Sequence, residues 1–337
     1  MSSLTLERSH APAPPRSRTP RDPWFDNAKM LLVLLVVVGH SWTLLPDTVL
    51  NARLYDWLYL WHVPAFVLVT GYLSKRFTWS RRNLRRLVTT VVLPYFILEG
   101  LLALFRVHVG GEKLERLWLN PHWPMWFLAA LFFWRLATPV LRRVRHPLAL
   151  AVGISVVSGL LATELLDINR VLGLLPFYVL GLVVEKHHVD AVRTQHVRLL
   201  GLLVLAGGAW FVSQGDGLSA EWLYYRSSYA EMGAGFLEGA ATRVGLMILA
   251  VAMAVAALSW IPGKGGWFTR MGGASLVVYL FHGFFVKGAE YSALPDWAAA
   301  HPFASLLAVT AGSAALALGL AWRPVAKPLE KIVTPAP

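Results

Sequence analysis

Three side chains able to do chemistry fall on one otherwise apolar segment: Asp26, Lys29 and His40. From Met30 to Gly39 the chain is Met, Leu, Val and Gly, with no polar side chain, so its backbone polar groups must be satisfied within a helix. On a helix, the eleven residues from Lys29 to His40 return to within about 20° of the same face and rise roughly 16 Å. Asp26 lies one turn below Lys29, near that face. An acid, a cation and an imidazole then share a stripe at membrane depth, where ionisable groups are expensive and point into a protein interior or a watery cavity. An imidazole, with an unperturbed pKa of about 6.5, suits proton transfer at neutral pH. The simpler alternative is a lysine that snorkels to the headgroups and an interfacial histidine without chemistry.

Further along, Trp61-His62-Val63-Pro64 places an imidazole beside a proline, which is expected to kink a continuous helix there. Trp126 opens an apolar segment in Trp123-Pro124-Met125-Trp126-Phe127-Leu128. Ser275, Tyr279 and His282 are spaced i, i+4, i+7, so hydroxyl, phenol and imidazole share one helix face that should look onto a cavity or another helix. His62, Trp126, Ser275, Tyr279 and His282 are therefore the candidate cavity residues. Lys75, Arg76, Arg81, Arg82, Arg85 and Arg86 crowd a short stretch. They attract anionic lipid, or they dock a polyanionic ligand through the bidentate geometry of arginine. No HExxH, acidic pair at ligand spacing, glycine-rich phosphate loop or cysteine occurs. Those absences argue against a metal centre, a nucleotide fold and a thiol carrier.

The elements that must hold these residues are membrane helices. The 337-residue chain is 56% hydrophobic and 15% charged. Soluble domains carry about 25% charged residues, so the composition is that of a membrane protein. The reading is an all-α integral membrane protein, a bundle of about ten transmembrane helices. Its segments are expected at 28–46, 54–73, 87–107, 124–141, 147–165, 171–186, 197–214, 243–261, 273–292 and 302–322. Residues 1–22 read as a Pro- and Arg-rich disordered tail without signal-peptide character, 23–323 as the membrane domain and 324–337 as a short tail. Lys and Arg concentrate in alternate loops, which places both termini in the cytoplasm. That bias also accounts for most of the formal net charge of +12 and excludes a nucleic-acid partner. The long outer loop 215–240, with Trp222, Tyr224, Tyr225, Tyr229, Glu221, Glu231 and Glu238, is an interfacial aromatic belt or a carbohydrate-facing surface.

Several strings resemble one family in order along the chain. DNAKMLLVLLVVVGH is similar to the first helix of the acyltransferase 3 family, particularly its fucose 4-O-acetylase-like branch. WHVPAFVLVTGY, WPMWFLAALFFWRL, LLPFYVLG and SLVVYLFH resemble that family's later segments, and together they run from about residue 24 to 322. The resemblance implies a multi-pass protein of the cell membrane that moves an acyl group, usually acetyl, from cytoplasmic acyl-CoA to a hydroxyl. The acceptor would be a carbohydrate, glycolipid or other small molecule. No tightly bound cofactor is implied, and acetyl-CoA is the expected co-substrate. His40 matches the family's first-helix histidine, as general base or as acyl carrier, with the base favoured. Many members have Arg where Lys29 stands, whereas the fucose-acetylase-like branch has Lys, which acts as a point charge rather than a bidentate fork. Lys29 would offset donor charge with Asp26 as its ion-pair partner, and Arg76, Arg85 and Arg86 would face the donor. The rival expectation is a transporter of a lipid-linked sugar or anion, with the histidines lining a path and no acyl chemistry.

Overall fold

A computed structural model describes residues 22–114, 116–214 and 219–333. Apart from Asp22, the expected tail 1–22 lies outside them, as do residues 215–218 of the expected outer loop and 334–337 at the other end. Among the described residues the chain is all-helical. It runs α1 (Pro23–Ser41), α2 (Val49–Tyr59), α3 (His62–Ser74), α4 (Arg81–Leu87), α5 (Leu93–His108) and α6 (Trp126–Leu141). Next come α7 (Pro147–Ser158), α8 (Ile168–Gly173), α9 (Leu175–Val183), α10 (Lys186–Val192), α11 (Gln195–Ser213) and α12 (Ala220–Tyr224). The last six are α13 (Phe236–Ser259), α14 (Trp267–Met271), α15 (Ser275–Glu290), α16 (Leu294–Ala300), α17 (Pro302–Ala321) and α18 (Arg323–Val333). The expected C-terminal tail is therefore mostly helix α18.

Five described stretches are long and apolar enough to cross a membrane: Pro23–Leu44, Arg81–His108, Gln195–Ser213, Phe236–Ser259 and Pro302–Ala321. A sixth forms if α8 and α9, bent by 52°, count as one broken span. The long helices α11, α13 and α17 leave Leu203, Ile248 and Phe303 about two-thirds exposed. Large apolar side chains facing outward on long helices are what lipid contact requires.

The shortfall from ten has local causes. The expected 54–73 segment breaks at Leu60–Trp61 and restarts as α3. Pro64 therefore does not kink a continuous helix; it sits in the first turn of a new one, where a backbone N–H has no intrahelical partner to lose. Leu93-Pro94 is handled differently. A π-helical turn over Val88–Val92 precedes it, letting α4 run into α5 without a free break.

Helix α1 is the centre of the packing. Met30, Val33, Val36 and Val37 enter one core with residues of α5, α6, α9 and α15, while Trp24, Ala28 and Leu32 enter a second with residues of α3 and α13. Apolar residues on several sides of α1 are buried, and none of its residues is exposed. Its foot is fixed by polar contacts. The Asp22 carboxylate accepts from the Trp24 backbone N–H at 3.0 Å. Asn27 uses both ends of its amide, donating to the carbonyls of Pro262 (2.7 Å) and Lys264 (3.2 Å) and accepting from the Thr269 hydroxyl (2.8 Å).

Helices α3 and α9 cross where Gly71 faces Gly181, and a Cβ on either would run into the other helix's backbone, at Tyr178 O or Leu68 O. Close approach through small residues is how helices associate in lipid. Gly71→Val or Gly181→Val should therefore lower the thermal midpoint in detergent, with a destabilisation of about 1–3 kcal/mol or more. Gly153→Val, which meets open space, serves as the control. Equal midpoints for all three would show that the crossing does not depend on glycine.

Candidate functional site

The C-terminal end of α1 opens into a cavity of about 680 Å³. His40 lines it, with Tyr55 and Tyr59 from α2, Trp126 from α6, Arg170 from α8, Tyr224 from α12 and Tyr279 from α15. Gly39 makes room for this: a Cβ there would come within 3.0 Å of the Tyr59 ring.

His40 is positioned by a second histidine. Its Nδ1 lies 2.8 Å from Nε2 of His282, and the two rings are stacked at 16°. Nδ1 of His282 in turn lies 2.6 Å from the backbone oxygen of Tyr279. A carbonyl only accepts, so His282 Nδ1 carries the proton and, in a neutral ring, its Nε2 presents a lone pair. His40 Nδ1 must then donate to it. When the His40 ring is neutral, this arrangement leaves its Nε2 as an unprotonated lone pair. Trp123 packs edge-on against His40 with ring centroids 4.4 Å apart, and the Tyr279 hydroxyl donates to the Pro124 carbonyl, tying the Trp123–Trp126 stretch to α15.

The wall around this pair is aromatic and polar. The hydroxyls of Tyr55 and Tyr224 meet at 2.5 Å, and Tyr55 stacks on Tyr59. Beyond them a charged cluster fixes the end of α15. Glu112 accepts from Arg106 (Nε, 2.8 Å), from Lys287 (2.9 Å) and from the Tyr291 hydroxyl; Lys287 also pairs with Glu290 at 3.0 Å. Burial pushes the Glu112 carboxyl up, but the bonds from Tyr291, Lys287 and Arg106 outweigh it and hold it at about 2. The cluster clamps the loop after α5 onto the helix that carries His282. Among the described residues no three metal-ligating side chains gather into a site.

The chain matches the family model described as an acyltransferase domain, acyltransferase 3, over residues 22–322. It belongs to the acyltransferase 3 family. No curated protein and no solved structure matches it. Membership in this family, with the apolar helices, supports a membrane acyltransferase.

The site residues expected of this acyltransferase 3 chain divide into groups. His40, Trp126 and Tyr279 line the cavity, and His282 lies directly behind His40. His62 is fully buried behind Tyr59, edge to face with it, and Nδ1 donates to the Leu58 carbonyl at 2.8 Å. Ser275, at the start of α15, does not line the cavity. Lys29 and Asp26 do pair, at 2.8 Å, but at the opposite end of α1 from His40. Arg76, Arg85 and Arg86 are exposed and outside the cavity. In the expected outer loop, Glu221 and Tyr224 face the cavity, whereas Tyr225 and Tyr229 are buried under the Arg243 guanidinium and Glu231 caps Ser228.

Sequence reasoning missed Arg170, Tyr55, Tyr59 and Lys287 as cavity residues. Arg170 carried a signal, since it directly precedes the apolar run 171–186, where a cation at membrane depth marks a site. Tyr55 and Tyr59 are spaced i, i+4 and so share a face, but aromatic residues at an interface need no site to explain them.

The hydrogen-bond directions can be measured. Nitrogen NMR of histidine-labelled protein in detergent should show a ring protonated at Nδ1 and bare at Nε2 for His40, identified by its absence in His40→Gln. In His282→Leu that single tautomer should give way to a mixture. A His40 ring protonated at Nε2 in the unaltered protein would contradict the derived geometry.

Proposed function

We propose that the protein is an O-acyltransferase that takes an acyl group, in the first instance acetyl, from cytoplasmic acyl-CoA and places it on a hydroxyl of a carbohydrate, glycolipid or small acceptor. The observation that carries this reading is the bare Nε2 of His40 in an aromatic and polar cavity, within a chain of the acyltransferase 3 family.

In this reading the acceptor hydroxyl approaches His40 Nε2, which takes its proton as the oxygen attacks the thioester carbonyl carbon. The new carbon–oxygen bond forms, the tetrahedral intermediate collapses, and the carbon–sulfur bond breaks. The departing CoA thiolate recovers the proton from His40. While His40 is an imidazolium, His282 Nε2 continues to accept from Nδ1, so the cation keeps a partner throughout. Donor charge would be met on the cytoplasmic side by Arg76, Arg85 and Arg86, which are exposed and whose guanidinium groups make no ion pair among the described residues, and by Lys29 held against Asp26.

The topology belongs to the same proposal: about ten crossings with both termini cytoplasmic, in the cell membrane, so that the His40 end of α1 faces outward. The short apolar helices α6 and α7 and the broken α8–α9 pair supply three crossings beyond the five long ones, and α3 and α15 complete the ten. The fucose 4-O-acetylase-like resemblance of the first helix, with lysine at position 29, favours a sugar hydroxyl as acceptor.

The test is acetyl-CoA turnover by purified protein in lipid. His40→Ala should lower kcat by about 10²–10⁴-fold with insertion unchanged. Arg85→Gln combined with Arg86→Gln should raise the KM for acetyl-CoA and largely keep kcat. Normal turnover by His40→Ala removes that residue from the chemistry; an unchanged KM returns the arginines to lipid contact.

A further inference from the structure

The cavity carries charges beyond His40, and most of them are already neutralised. Lys287 is taken up by Glu112 and Glu290, and Arg226 lies 3.6 Å from Asp167 and 3.7 Å from Glu164. Arg170 is different. Its Nε donates to the Tyr224 carbonyl at 3.1 Å and its guanidinium lies over the Trp126 ring, 4.8 Å from the centroid. Among the described residues neither Nη nitrogen has a hydrogen bond or an opposite charge. The side chain is half-buried and lines the cavity with His40.

A guanidinium fixed through Nε and stacked on an indole is a preorganised fork. Its free edge, between the two Nη groups, presents parallel N–H donors matched to the two oxygens of a carboxylate or phosphate. That edge stays open to the cavity without a protein partner among the described residues, an arrangement that favours an anion entering it. Glu221, exposed at the rim with one oxygen taken by Ser227, adds an acceptor for hydroxyl groups. The Tyr55–Tyr224 hydroxyl pair adds further polar surface.

We infer that Arg170 forms an oxyanion subsite of the acceptor cavity, and that the acceptor is a polyhydroxylated molecule bearing a carboxylate or phosphate ester beside the hydroxyl presented to His40. The inference rests on the transferase reading for the word acceptor; the subsite itself is a matter of binding.

The experiment is isothermal titration calorimetry of the full chain in detergent with glucuronate, glucose-1-phosphate and glucose. Glucuronate or glucose-1-phosphate should bind about tenfold or more tightly than glucose, and the tighter of the two names the oxyanion. Arg170→Gln should remove the preference. Should that variant fail to fold, Arg170→Lys decides, because a point charge without the fork should keep a weakened preference. No saturable binding of either anion, no preference over glucose, or a preference undiminished in both variants overturns the subsite. A protein that turns over acetyl-CoA yet shows no preference overturns the subsite alone. One that shows the preference without acetyl-CoA turnover overturns the transferase reading alone.

Discussion

His40 and His282 stand 242 residues apart in sequence and 2.8 Å apart in space. The chemistry of the cavity depends on that contact, because an imidazole is a base only through the nitrogen that lacks a proton. The Tyr279 carbonyl sets His282, His282 sets His40, and the outward-facing nitrogen of His40 is left bare. No carboxylate takes part in this relay among the described residues. A neutral relay ending on a backbone carbonyl orients the base without placing a second charge in an apolar interior, where an unpaired ion is expensive.

The rest of the fold keeps two helices in register for that bond. α1 packs into two cores and is pinned at its foot by Asn27, so His40 has a fixed height. α15 is held at its far end by the Glu112 cluster and in its middle by Tyr279 on Pro124. Both restraints bracket His282. The Lys29–Asp26 pair and the cavity lie at opposite ends of α1, roughly 16 Å apart by helical rise between Lys29 and His40. In the proposed reaction, a thioester entering from the Lys29 end would have to reach well into the bundle to meet His40.

The sequence revealed the parts that follow from spacing along one segment. An apolar run punctuated by His40, and Tyr279 with His282 on one face, needed only helical geometry to place. It did not reveal that these two stripes face each other, since nothing in either segment encodes the partner of the other. The break at Leu60–Trp61 was hidden because Trp, His and Val continue the hydropathy of a span, while the proline that drew attention sits harmlessly in a first turn. Asn27 read as part of a motif, but its function is to join α1 to the carbonyls before α14, a tertiary role invisible in composition. Arg170 was legible only as a loop cation; its stacking on Trp126 arises from α6 and α8 meeting at the cavity wall.

The central claim is that His282 acts through His40 rather than beside it. The most direct measurement is a double-mutant cycle on acyl transfer with His40→Gln, His282→Gln and the pair together, at matched folding. If His282 serves only to orient the base, the double variant loses no more than His40→Gln alone. Losses that multiply, each histidine costing its own factor in the other's absence, would contradict the account.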